Sequence, residues 1–280
     1  MIFGQFVTRP ARVWAASLLG AALLSACLGK PSPSSPSAPP PPAAYAPSTA
    51  PVATPSSATA AFSQCPQFFA QGQPPVVAER PLLRALCYDA FAILHNGSTR
   101  TPLFVAQRLN RALVDDADEK RTNKFFADAR LPRAERAELS DYKGSGYSRG
   151  HMAPAGDMPT AQAMAQSFSL ANMVPQSSKQ NSGPWARIEK DTRTYAQRAK
   201  GDVFIITGPV FDAQPPTVGS NRVAVPSHLY KLVYDASTGR AWAHWQANRD
   251  DTRLSEPISY QELVQRTGID FLPGLHPKAR

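Results

Sequence analysis

Four consecutive residues, Ser148-Arg149-Gly150-His151, set a histidine two positions beyond an arginine. An imidazole titrates near ~6.5, so it can take a proton at neutral pH. A guanidinium close by offers charge and a two-pronged hydrogen-bonding fork to a phosphate. Further along, Asn181, Trp185 and Glu189 follow at intervals of four. The asparagine carbonyl is a hard oxygen ligand, of the kind that suits Mg²⁺ held mostly by waters. Each residue alone has a plainer explanation. A histidine after glycine is usually a loop or core residue, and Asn181 beside Ser182-Gly183-Pro184 suits a turn or cap. Trp185 suits a core, and Glu189 a solvated helix face. His95, His228, His244 and His276 stand in no motif. No H-E-x-x-H occurs, and neither a zinc nor a serine hydrolase is expected.

The elements around these residues decide whether they can meet. Residues 141–150 are rich in Gly, Ser and Tyr, which predicts a loop leading into a short strand. Residues 185–199 carry good helix formers, with Trp185, Ile188, Thr192 and Tyr195 on one face. Pro184 suits a first helical turn, so the helix is expected to begin near Ser182 or Gly183. Asn181 shares a face with Glu189 if the helix reaches back to it, and otherwise sits just ahead of it. Residues 86–94 and 99–105 are apolar runs flanking Asn96-Gly97, a strong hairpin signal. Two adjacent phenylalanines lie within 121–128, and the charged stretch 131–139 is expected at the surface. Residues 161–173 are small and apolar without a clear period. Residues 203–207 read as a buried strand ended by Gly208-Pro209. Residues 229–234 and 241–247 read as strands joined by a turn at 235–239. Ser259 with Glu262 forms a capping-box pattern, and Gly268 a helix stop. The sum is α+β, a mixed or antiparallel sheet core with flanking helices.

The ends and the composition bound where such a domain works. Arg9 and Arg12 precede an uncharged run over 13–26, mostly Ala and Leu. It is shorter than the ~20 residues a spanning helix needs and matches the apolar region of an export signal. The run closes in Leu24-Ser25-Ala26-Cys27, which resembles a bacterial lipobox. That resemblance implies removal of residues 1–26 and lipidation of Cys27, the alternative being an ordinary signal peptide. Residues 27–60, nearly all Pro, Ser, Ala and Thr from Pro31 onward, cannot bury a core and read as a tether. Residues 61–280 make one globular domain. The expected location is therefore a membrane-anchored lipoprotein of the periplasm or cell surface.

The chain carries a net charge of +9, and the signal region supplies only two of the positive charges. A basic domain suits a polyanionic partner, because its cations release counterions from phosphates. If Cys27 is lipidated, Cys65 and Cys87 remain. In an oxidising compartment the default is a disulfide between them, with two buried thiols as the alternative. Neither has a neighbouring histidine or a C-x-x-C spacing, which argues against zinc or redox chemistry.

Tyr147-Ser148-Arg149-Gly150-His151-Met152-Ala153-Pro154 resembles the signature of the DNA/RNA non-specific endonucleases. Asp141-Tyr142 and Gly144-Ser145-Gly146 before it, and Ala155-Gly156-Asp157 after it, extend the likeness. Ser169-Leu170-Ala171-Asn172-Met173-Val174-Pro175-Gln176 is similar to a second block, and Asn181, Trp185 and Glu189 follow at the family spacing. Residues 203–211 resemble a third block, 226–233 with Lys231 a fourth, and Thr267-Gly268-Ile269-Asp270-Phe271 the last. The likeness covers roughly the whole domain. Ser148 departs from it, since most members carry Asp there; a serine offers only a neutral hydrogen bond.

The resemblance implies a metal-dependent endonuclease that hydrolyses phosphodiester bonds in DNA and RNA, leaving 5′-phosphates, on a ββα-metal (His-Me finger) site. It implies His151 as general base on water and Asn181 as the single direct protein ligand of Mg²⁺, with Mn²⁺ as a substitute. Glu189 would orient one of the waters, and Arg149 and Arg121 would contact the phosphate. Arg121 is placed by the spacing Arg121…Phe125…Asp128. The implied partners are DNA and RNA substrates and, through the lipid, a membrane; a homodimer is left open. The competing expectation is a surface lipoprotein that captures nucleic acid without cutting it. Against it stands the His151, Asn181 and Glu189 set, because a pure binder needs neither a base nor a metal ligand.

Overall fold

In the computed structural model, which describes residues 61–280, the apolar runs become strands of a seven-stranded antiparallel sheet. The expected signal segment, the lipidation site Cys27 and the tether lie outside the described residues. In chain order the elements are β1 (Leu83–Cys87), β2 (Ala92–Asn96), β3 (Thr101–Leu109), α1 (Arg111–Asp115), α2 (Leu139–Tyr142), β4 (Ser148–His151), α3 (Ala161–Ser167) and β5 (Met173–Gln176). There follow α4 (Ala186–Arg198), β6 (Val203–Val210), β7 (Thr217–Val218), β8 (Val223–Ala224), β9 (His228–Asp235), β10 (Arg240–Ala247), β11 (Ile258–Ser259) and α5 (Tyr260–Thr267). The sheet order is β1-β2-β3-β6-β9-β10-β11, with β4 and β5 paired apart from it. The α+β expectation holds, with an antiparallel sheet and flanking helices.

Both faces of this sheet are covered, which is why its central strands read as continuous apolar runs. Every residue of β2 is buried. On one face Phe62, Phe68 and Phe69 from the start of the domain pack with Leu263, Ile269 and Phe271 from its end, over Leu94, Phe104, Tyr230 and Leu232. On the other face Met152, Val174, Trp185 and Ile188 pack over Ile93, Val105 and Leu229. The ββα unit formed by β4, β5 and α4 therefore sits on one side of the sheet, and the joined ends of the domain on the other. Cys65 and Cys87 form a disulfide in the layer of the joined ends.

Several boundaries differ from expectation. The run 86–94 is two strands, reversed at Tyr88–Phe91, where the Tyr88 N–H donates to the Phe91 carbonyl at 2.9 Å. Apolar residues continue through the reversal, so periodicity does not mark it. β6 runs on through Gly208-Pro209 to Val210. Its pairing with β3 stops at Thr207 while that with β9 continues. Pro209 thus lies where the strand has one neighbour, a position that tolerates the missing N–H. In the charged stretch 131–139, Leu131, Glu135 and Ala137 are buried rather than at the surface. Glu135 takes two hydrogen bonds from Arg84, each at 2.9 Å, which offsets the burial of its charge. The β9–β10 hairpin and the Gly268 stop form as expected, with Gly268 left-handed at φ 68°. Of the capping box only one half forms: the Ser259 hydroxyl accepts from the Glu262 N–H, while the Glu262 carboxylate pairs with Arg266.

Candidate active site

β4 carries Ser148 to His151 and pairs antiparallel with β5, Gly150 opposite Val174 and His151 opposite Met173. Gly150 has a steric reason. A Cβ there would lie 1.8 Å from the Gln176 side-chain oxygen, so the strand pair closes only over a glycine. Beyond His151 the chain is pinned by Asn172. Its amide oxygen accepts from the Ala153 N–H, and its nitrogen donates to the carbonyls of Ala153 and Ser167, each at 2.9 Å. Ser148 Oγ lies 2.8 Å from Ser178 Oγ and ties β4 to the start of the facing helix.

That helix begins earlier than Ser182 or Gly183. Ser177 caps a first turn, Ser178–Gln180, which runs through a π-turn, Asn181–Trp185, into α4. A proline in an α-helix collides with the carbonyl four residues back; the wider π-turn accommodates Pro184 and keeps the helix continuous. Asn181 and Glu189 consequently face one cavity. Trp185 between them is fully buried and anchors the helix to the sheet.

The cavity encloses about 310 Å³ and is walled by His151, Asn181, Glu189, Arg121 and Arg193. A second cavity of about 600 Å³ shares Arg121 and Asn181 with it and extends past Arg149. The structure thus brings His151, Asn181, Glu189 and Arg121 to one cavity, and places Arg149 in the adjoining chamber. His151 is 7% exposed, its ring 5.0 Å edge-on from Phe168 and 5.9 Å from Phe125. Burial, aided by the Arg121 charge, lowers its pKa to about 3, so the ring is neutral at physiological pH. The same two phenylalanines hold the arginines: the Arg149 guanidinium lies 4.1 Å over Phe125 and that of Arg121 5.0 Å over Phe168.

Further charged groups lie close to Glu189. Burial pushes the half-buried Glu189 carboxyl up to about 7, against the opposing pull of Lys231. Lys231 rises from β9, is 1% exposed, donates to Thr207 Oγ1 at 2.8 Å and lies 5.5 Å over the Trp185 ring. Asp157 accepts from Arg193 at 2.9 Å and from Gln107 at 3.4 Å. Phe168, Arg193 and the pinning role of Asn172 were not legible as site residues. For Arg193 a cue existed, since it follows Glu189 by four on the helix. Of the other histidines, His95 donates from Nε2 to the Glu135 carbonyl within the core and His228 stacks on Trp245.

Two alternatives can be judged on this geometry. Gly146-Tyr147-Ser148-Arg149-Gly150 matches G-x-S-x-G, so the sequence pattern alone does not exclude a serine hydrolase. The geometry does. Ser148 opens a strand rather than standing on a strand-to-helix elbow, and its hydroxyl partner is Ser178, not a base. For a metal, no cluster of three His, Cys, Asp or Glu among the described residues could form a cage. What fits is a hard cation that keeps most of its waters, with the Asn181 amide as ligand. Among the described residues nothing hydrogen-bonds that amide, and it faces both cavities.

A strand pair and a helix presenting a histidine, an asparagine and a glutamate to one cavity define the ββα-metal nuclease class. The model of the DNA/RNA non-specific endonuclease family matches residues 77–278, and the chain belongs to that family. It is 36% identical over 213 residues to human mitochondrial nuclease EXOG, covering 68% of this chain and 57% of that protein. A nuclease of Nostoc sp. is 32% identical over 205 residues, covering 68% and 73%. A crystal structure of the EndoG/EndoGI complex superimposes with a TM-score of 0.61 at 23% identity, over 69% of this chain and 86% of the other, and supports the fold. The chain spans little more than half the length of the EXOG relative.

Proposed function

We propose that the protein is a divalent-metal-dependent endonuclease that hydrolyses phosphodiester bonds in DNA and RNA with little sequence selectivity. The observation that carries this reading is the shared cavity of His151, Asn181 and Glu189, with Arg121 at its rim. His151, neutral because it is buried, accepts the proton of the attacking water. Arg121 and Arg149, stacked on phenylalanines, hold the phosphate and meet the charge that grows on it. Glu189 orients water at the opposite wall. Asn181 is the residue to hold the cation, Mg²⁺ by the hardness of its donor, with Mn²⁺ able to substitute. When bound, that ion stabilises the developing charge and the departing oxygen.

We place the enzyme outside the cytoplasm, tethered by residues 27–60 to a lipid on Cys27 after removal of residues 1–26. The uncharged run over 13–26 and the Leu24-Ser25-Ala26-Cys27 pattern support these readings.

Supercoiled plasmid and total RNA incubated with the folded protein, with Mg²⁺ or with EDTA, test the activity. Cleavage of both that EDTA abolishes is the expected result. Retained nucleic-acid binding without cleavage under any divalent ion would return the protein to the class of non-catalytic binders. Cys27→Ser should move the protein from the membrane fraction to the soluble one.

A further inference from the structure

The larger chamber beside the catalytic cavity shares Arg121, Arg149 and Asn181 with the chemistry proposed above, but the rest of its lining has no part in it. Its volume, about 600 Å³, falls in the range of small-ligand sites. No carboxylate is among the side chains lining it, whereas Arg121, Arg149 and Lys143 all are. Tyr147 and Phe125 give it rings, and Tyr142 lies buried in its wall with a hydroxyl that has no hydrogen-bond partner. The chamber adjoins the catalytic cavity, with which it shares Arg121 and Asn181, so a nucleotide held in it would neighbour the one at the catalytic cavity.

Cations without acids select a polyanion, but cations alone would be served by an open groove along a duplex backbone. A chamber with aromatic walls asks for a planar group as well. Inside a duplex each base is stacked on both faces and paired at its edge, and it cannot enter. An unpaired nucleotide can: its base stacks on an aromatic ring or a guanidinium plane while its phosphate meets the cations. The Arg149 guanidinium already lies 4.1 Å over Phe125, a preformed platform of that kind. Tyr147, half-buried, stands on the same wall.

We propose that this chamber is a subsite for one unpaired nucleotide flanking the scissile phosphate, with Tyr147 as its stacking residue, Arg149 as its platform and Lys143 as a phosphate contact. The inference rests on the nuclease reading for what the neighbouring cavity does. It can fail separately.

The test uses the full chain carrying His151→Ala, in EDTA, so that no cutting is needed. Fluorescence anisotropy compares a labelled single strand, an abasic strand of the same length and a blunt duplex. The expected result is roughly tenfold tighter binding of the strand with bases than of the abasic strand. Tyr147→Ala should remove that advantage, Tyr147→Phe should keep it, and neither should change duplex affinity. Equal affinity for abasic and normal strands overturns the subsite, and so does a loss from Tyr147→Ala of the same factor on strand and duplex. If Tyr147→Ala does not fold, the abasic comparison in the His151→Ala protein still decides. A base-dependent difference in a protein whose wild type cuts nothing would keep the subsite and sink the nuclease reading. Cleavage without any base dependence would do the reverse.

Discussion

As the proposed base, His151 has to be unprotonated at neutral pH and held in one place. Burial between Phe125 and Phe168 supplies both, lowering its pKa to about 3 and fixing the ring. His151→Ala should reduce kcat on plasmid DNA by on the order of 10²–10⁴-fold, the usual scale for a proton-transfer residue. Its circular dichroism should remain that of the parent; unchanged turnover would remove His151 from the mechanism. Gly150 gives a sharper structural test. Gly150→Ala forces a Cβ against the Gln176 side chain, and overpacking of this kind costs about 1–3 kcal/mol. Adding Gln176→Ala should recover part of that loss in a denaturant titration, because the two side chains compete for the same space. Strict additivity of the two losses would show that something else demands the glycine.

At the scale of elements, the sequence was most informative where a local rule and the tertiary structure agree. The β9–β10 hairpin was legible because two apolar runs flank a turn that ends in Gly239, whose φ is 69°. The α5 caps were legible from Ser259 and Gly268 for the same reason. The reversal at Tyr88–Phe91 was not, because burial on both sides of the turn hides it. Pro184 misled in an instructive way: it is a local stop signal, yet the chain answers it with a π-turn and continues the helix through Asn181. The blocks pointed to the residues we propose as base, metal ligand and water-orienting carboxylate. They did not reveal that Lys231 on β9 lies beneath Trp185 as a countercharge to Glu189 on α4, since that relation exists only once helix and sheet pack. A prediction follows from it. Glu189 already titrates at about 7, with burial raising it and Lys231 opposing. Lys231→Met removes the opposition, so the carboxyl rises further and stays protonated over more of the neutral range. The acid limb of the pH–rate profile should move to higher pH, while Lys231→Arg should leave it near the parent position. An unmoved limb in a folded Lys231→Met protein would separate Lys231 from Glu189.

For the whole molecule, the central sheet divides stability from chemistry. One face carries the ββα unit, both cavities and the buried charges. The other face gathers the two ends of the domain, with Phe62, Phe69, Leu263 and Phe271 packed over Phe104 and Leu232. The Cys65–Cys87 disulfide belongs to that second layer and closes a sequence separation of 22 residues. In the loop-entropy model a link of that span stabilises by about 3 kcal/mol, mostly by restricting the unfolded chain. Nothing in the catalytic wall touches it, and a rigid seven-stranded sheet stands between. Cys65→Ser with Cys87→Ser should therefore lower the stability of the domain by about 3 kcal/mol in a chemical denaturation. Its kcat and KM on plasmid DNA, measured well below the lowered melting temperature, should match the parent. If activity falls in step with stability, the sheet transmits strain from one face to the other, and the two layers form a single functional unit.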